Sequence, residues 1–176
     1  CLTRGEMAQA LEALDAAAAG LRAAGLPDPA AQTQVPRIMA LSMLGRHDDA
    51  IACAEAAQRE LADLGNLSAA ARVSQNLGSL HFRRDAYAEA ASHFRTAAGM
   101  FSRVSDHERS VNADIGLADS LTSMGDFDEA RRIYARARAQ AQLHALEAPG
   151  AMIDESEALL DLARGRYREA LAGFES

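Results

Sequence analysis

The sequence has no tryptophan and no lysine, and aromatic residues make up only 5% of it. A β-sandwich or barrel draws its core from β-branched and aromatic side chains, so this scarcity argues against an all-β fold. The 18 basic residues, every one an arginine, are outnumbered by 25 acidic ones, which leaves a formal net charge of −7. That balance speaks against a general nucleic-acid binder, which would present a basic face to phosphates. Only two cysteines occur, Cys1 and Cys53, far apart and in no Cys-x-x-Cys or Cys/His cluster. They read as two reduced thiols rather than a disulfide, in keeping with a cytoplasmic protein. No stretch approaches the roughly 18 uncharged apolar residues of a membrane span. A secretory leader pattern is also missing, and the first residue is not Met, so the expectation is a piece of something longer.

What is abundant is alanine, roughly a quarter of the chain against a more even mixture in ordinary domains. Alanine is the best helix former and lets helices approach closely, so the composition predicts packed helices. The 176 residues suffice for one domain with a sizeable core.

The helices repeat. In "GDFDEARRIYARA", residues 125–137, Phe127, Ala130, Tyr134 and Ala137 stand three or four apart. Moving back 40 residues aligns them with Tyr87, Ala90, Phe94 and Ala97. Further steps of 40 reach His47, Ala50, Ala54 and Ala57, then Met7, Ala10, Leu14 and Ala17; a forward step reaches Tyr167, Ala170 and Phe174. Leu77-Gly78 and Leu117-Ala118 stand at one upstream place, where Glu157-Ala158 keeps the small residue and Arg37-Ile38 departs from the pattern. Small residues where helices cross, with aromatics filling the gaps between them, make a unit that cannot bury its apolar face alone and must stack on its neighbours. These positions are packing positions.

The pattern resembles the tetratricopeptide repeat over nearly the whole chain, in the long-repeat subclass of bacterial transcriptional regulators, CHAT-domain proteins and motor scaffolds. The resemblance implies an all-α, right-handed α-solenoid of antiparallel helix pairs. It divides the chain into a partial repeat at 1–29, repeats at about 30–67, 68–105 and 106–145, and a partial repeat at 146–176. The spacing predicts helices at about 5–24, 30–44, 47–64, 68–83, 86–104, 106–124, 127–144, 147–164 and 167–175. Gly25-Leu-Pro-Asp-Pro29 breaks the chain, and Pro36 makes its helix start late or bend. Ser68 and Asp106 read as N-caps and Gly65 as a C-cap.

Catalytic and metal motifs are missing. His47, His81, His93, His107 and His144 have no metal-ligand spacing, and there is no P-loop, Gly-x-Gly-x-x-Gly or Gly-x-Ser-x-Gly. The expectation is no enzyme, no metal and no cofactor. Asn66-Leu-Ser68 fits a sugar-acceptor sequon, but an N-cap explains Ser68 better. "RRIYARARAQ" reads as a solvated helix face rather than an anion site.

What remains is surface. The resemblance implies that the first helix of each pair lines an inner wall and supplies ligand contacts. The corresponding residues are apolar towards both ends, as Met39, Met43, Met152, Leu159 and Leu162 show. In the middle they are polar: Arg72, Gln75, Asn76, Ser79, Arg83, Asn112 and Asp119. These are the candidate partner-binding residues, with Arg72 and Arg83 for carboxylates and Gln75 and Asn76 for peptide backbone. The alternative is that Arg83 pairs with Asp119 while Arg72 is solvated. The expected function is a protein–protein interaction scaffold that binds a peptide or partner domain on its concave face, contacting neither nucleic acid nor membrane. Its alternative is a regulatory arm for a catalytic (CHAT-type protease) or DNA-binding domain in the same polypeptide, in which case the partners are other domains of the parent chain.

Overall fold

Left-handed backbone recurs every twenty residues. Gly25, Gly45, Gly65, Gly125 and Gly165 have φ of 74–80°, and Asp85, Ser105 and Ala145, at the same phase, have φ of 53–58°. At each such point the next amide donates to a carbonyl five residues back, as in Arg46 to Leu41 and Asp126 to Leu121, both at 2.9 Å. That 6→1 bond satisfies a carbonyl the helix end would leave orphaned, and it turns the chain into the next helix.

A computed structural model describes residues 4–174 of the chain. Ten helices follow in order: α1 (Arg4–Ala23), α2 (Pro27–Gln32), α3 (Gln34–Met43), α4 (His47–Asp63), α5 (Leu67–Phe82), α6 (Tyr87–Arg103), α7 (His107–Ser123), α8 (Phe127–Leu143), α9 (Glu147–Ala163) and α10 (Tyr167–Phe174). From α4 to α9 the bounds fall within one residue of the ranges read from spacing. Among the described residues there is no strand. Cys1 lies outside the described residues, and the side chain of Phe174 is likewise not described.

Two local expectations need correction. The stretch 25–29 is not all break: only Gly25 turns the chain, and Pro27 opens α2 at a position where a missing N–H costs nothing. Pro36 does bend its helix, which is interrupted at Thr33 between α2 and α3. There the Thr33 hydroxyl donates to the Ala30 carbonyl at 2.7 Å. The cap of α5 is Asn66, not Ser68, since the Asn66 side chain accepts from the Ala69 amide at 3.0 Å. Asp106 does cap α7, accepting from the Arg109 amide at 3.2 Å.

Apart from α2 and α3, which form one bent helix, consecutive helices pack antiparallel, and α3, α5, α7 and α9 also touch one another in sequence, more closely than α4, α6, α8 and α10 do. Closer approach on one side curves the stack, so α3, α5, α7 and α9 form the inner layer and their partners the outer one. The result is an α-solenoid of helix pairs. Ala50, Ala57, Ala90, Ala97, Ala130 and Ala137 are fully or almost fully buried where helices cross, which explains why these positions stay small. Leu77 and Leu117 are fully enclosed beside them, each burial worth about 2 kcal/mol. Phe94 and Tyr134 fill the gaps between crossings, while Tyr87 and Phe127 are half-buried at the turns.

Candidate functional site

Two adjoining clefts open on the inner layer. The larger, about 460 Å³, lies between α3 and α5, with Met39, Ser42 and Met43 on one wall, Asn76, Ser79 and Arg83 on the other, and His47 at one end. The smaller, about 230 Å³, lies between α5 and α7 and is walled by Ser79, Phe82 and Arg83 opposite Gly116 and Asp119, with Phe94 of α6 beneath. Ser79 and Arg83 belong to both, so the clefts form one groove across three inner helices.

Four of the seven candidates, Asn76, Ser79, Arg83 and Asp119, therefore line the groove. Arg83 is exposed, and its guanidinium donates to the Ser42 hydroxyl at 3.4 Å. It makes no ion pair with Asp119, contrary to the alternative entertained from the sequence. Asp119 instead accepts from the Tyr134 hydroxyl at 2.5 Å. Burial raises the Asp119 pKa, with the hydrogen bonds from Tyr134 and Ser156 opposing that shift and the nearby Glu155 charge adding to it. Burial and the facing Asp119 push the Tyr134 hydroxyl up in turn. Tyr134 thus fixes the carboxylate from behind, while Arg83 faces the groove uncompensated.

The other three candidates stand outside the two clefts. Arg72 is exposed and has no ion pair or hydrogen bond among the described residues. Gln75 is half-buried, and its backbone carbonyl accepts from the Ser79 hydroxyl at 3.2 Å. Asn112, one repeat on from Arg72, is half-buried with its Oδ1 enclosed and without a donor. A carboxamide oxygen without a donor is costly and stays available to an incoming N–H.

Sequence reasoning missed His47 as a cleft residue, and it missed the floor. The Phe94 ring lies between Gly78 of α5 and Gly116 of α7, filling the space a Cβ would need at either. The signal was there: a glycine inside a helix costs about 1 kcal/mol against alanine and calls for a packing reason.

The arginine-rich stretch of α8 is not simply a solvated face. Arg131 pairs with Asp161 at 2.8 Å and Arg138 with both Asp154 and Glu157, so α8 is tied to α9. Arg136 pairs with Asp114 of α7 at 2.7 Å. Only Arg132 bonds within its own helix, to Glu129. Among the described residues no three His, Cys, Asp or Glu side chains converge on one point, and no helix is long and apolar enough to cross a membrane.

Residues 67–143 match the sequence model of the tetratricopeptide repeat. No characterised protein matches the chain by sequence. Among solved structures, the TPR-like repeats of a kinesin light chain-like protein from Podosopora anserina superpose with a TM-score of 0.78 at 18% identity, covering 97% of this chain and 84% of that one. A Rap protein complexed with competence and sporulation factor gives 0.75 at 20% identity, over 97% of this chain and 46% of the other. The Rap conjugation gene regulator of plasmid pLS20, in complex with the Phr* peptide, gives 0.67 at 18% identity, over 85% and 41%.

Proposed function

We propose that this chain, whose residues 67–143 are tetratricopeptide repeats and whose whole described length has the fold of TPR-like repeat proteins, is a protein–protein interaction scaffold taking an extended peptide along its inner groove. The observation that carries this reading is the continuous groove through Ser79 and Arg83, with exposed methionines at one end and an unpaired guanidinium in the middle. Met39 and Met43 are 59% and 64% exposed, an unusual cost on a rigid wall unless something apolar covers them. Methionine is also suited to moulding around a partner side chain. Arg83 would hold a carboxylate of the peptide, and the Asn76 amide a backbone group. Arg72, Gln75 and Asn112 would extend the same track, with the Asn112 Oδ1 accepting a peptide N–H. Two of the similar folds were solved with a competence and sporulation factor and a Phr* peptide, which supports a peptide as the kind of partner.

A second reading is a regulatory arm that packs on a catalytic (CHAT-type) or DNA-binding domain of the same polypeptide. It is favoured by the exposure of Leu159 and Leu162 on α9 and of Tyr167 and Leu171 on α10, an apolar face suited to a covering domain.

A photocrosslinking residue at Met39, with a control at Arg103 on the outer layer, separates these readings in source-cell lysate. Capture of one peptide or protein from Met39 alone, lost on Arg83→Ala, is the expected result. Capture that ignores Arg83→Ala and arises equally from Arg103 would overturn the groove reading.

A further inference from the structure

A third cleft, of about 400 Å³, opens on the opposite side of the array, between α6 and α8 above α7. Ala98, Gly99 and Ser102 of α6 form one wall, and a Cβ at Gly99 would meet nothing within 4 Å, so the space is open. Two of the polar groups around it, Arg95 and Arg136, are donors only, and Ser102, His107 and Gln140 can donate as well as accept. His107 is held in place by stacking on His144, with ring centroids 3.7 Å apart.

Among the described residues Asp114 is the one acid lining this cleft, and Arg136 already answers it. The Arg136 Nε donates to one carboxylate oxygen at 3.0 Å and Nη2 to the other at 2.7 Å. This bidentate grip leaves Nη1 uncommitted and fixes the plane of the guanidinium. Across the cleft, Arg95 has no ion pair or hydrogen bond among the described residues. Most arginines here that reach an acid are paired with it, and the chain carries −7 overall, so two guanidiniums facing one spent carboxylate form a local positive site in an acidic protein. None of these residues lines either inner cleft.

We propose that this outer cleft binds a compact oxyanion, the phosphate or carboxylate group of a small ligand, held between Arg95 and the free Nη1 of Arg136 with the Gln140 amide as a further donor. Its volume falls in the range of small-molecule sites and is too small for a folded partner. The site stands apart from the inner groove and does not depend on the peptide reading.

The test is a titration of the chain with inorganic phosphate, and separately with succinate at matched ionic strength, following the arginine Nε–H resonances by NMR. The expected result is saturable movement of the Arg95 and Arg136 signals with at least one anion, the tighter of the two naming the ligand group. Arg95→Ala should weaken it roughly tenfold or more, the loss of a charge-assisted bond. Arg95→Gln checks that the effect follows charge rather than side-chain bulk, and Arg83→Ala on the inner face should leave binding intact. Movement that stays linear with both anions overturns the proposal. So does saturable binding that Arg95→Ala leaves unchanged.

Discussion

The ring of Phe94 leaves no room for a side chain at Gly116: a Cβ there would stand 2.7 Å from its Cε1 and 2.8 Å from its Cζ. Nor can the ring retreat, because Gly78 on the other side would bring a Cβ to within 2.8 Å of its Cδ1, so that face is in contact too. Gly116→Ala is therefore expected to destabilise the protein by about 1–3 kcal/mol through overpacking, although alanine is the better helix former by about 1 kcal/mol. Urea unfolding followed by circular dichroism checks the sign. A more stable variant would mean that the ring swings out into the inner cleft it floors.

Three of the eight turns carry left-handed backbone without glycine: Asp85, Ser105 and Ala145. For an alanine the left-handed region costs about 1–2 kcal/mol, partly offset by the greater freedom glycine has when unfolded. Ala145→Gly should raise stability by about 0.5–1 kcal/mol, and Gly125→Ala, at φ 80°, should lower it by a similar amount. Opposite shifts in the urea midpoint with an unchanged slope are the expected pair.

The twenty-residue ruler explains why so much of the fold is legible in the sequence. Small residues at crossings and aromatics in the gaps are local, periodic signals, so helix bounds from α4 to α9 fall within a residue of those read from spacing. Pairings between repeats are less legible, because they depend on side-chain reach. The sequence offered Arg83 as the partner of Asp119, and the structure gives it the Tyr134 hydroxyl. The hydroxyl has it because Tyr134 is buried directly behind Asp119, while Arg83 points along the groove towards Ser42. The arginines of α8 looked like a solvated face for the same reason: the acids that answer Arg131, Arg136 and Arg138 come from α7 and α9, 16 to 30 residues away. Of the candidate binding residues, Asn76, Ser79, Arg83 and Asp119, towards the C-terminal ends of α5 and α7, line the groove, while Arg72, Gln75 and Asn112 stand nearer the N-termini and outside it.

One of those pairings stands out for its burial. The Asp114 side chain is only 8% exposed, whereas that of Arg136 is 53% exposed. Removing the arginine leaves an enclosed carboxylate without its two donors, and Arg136→Ala should cost about 1–2 kcal/mol, discounted for the solvent around the guanidinium. Asp114→Ala added to Arg136→Ala should cost less than the sum of the two single changes, since the stranded charge is gone. Additive losses would show that the pair is not coupled.

The histidine pair of α5 and α6 predicts the acid side of the stability curve. His81 and His93 stack with centroids 5.2 Å apart and planes within 10°. Burial lowers the His93 pKa below its ordinary 6.5, and the His81 ring adds to this, while Glu55 on α4 and Glu89 on α6 oppose it. A histidine with a depressed folded pKa binds fewer protons folded than unfolded between the two values, so stability rises with pH across that window. The contribution is present in full above about pH 6.5 and is lost as pH falls through the folded value. Asp119 acts with the opposite sign, because its raised pKa lets the folded state hold a proton that the unfolded chain releases above about pH 3.8. Unfolding free energies between about pH 7 and pH 5 should fall for the native sequence and fall less for His93→Gln, which keeps a polar side chain that cannot charge. A native slope that His93→Gln leaves unchanged would place the titrating group elsewhere.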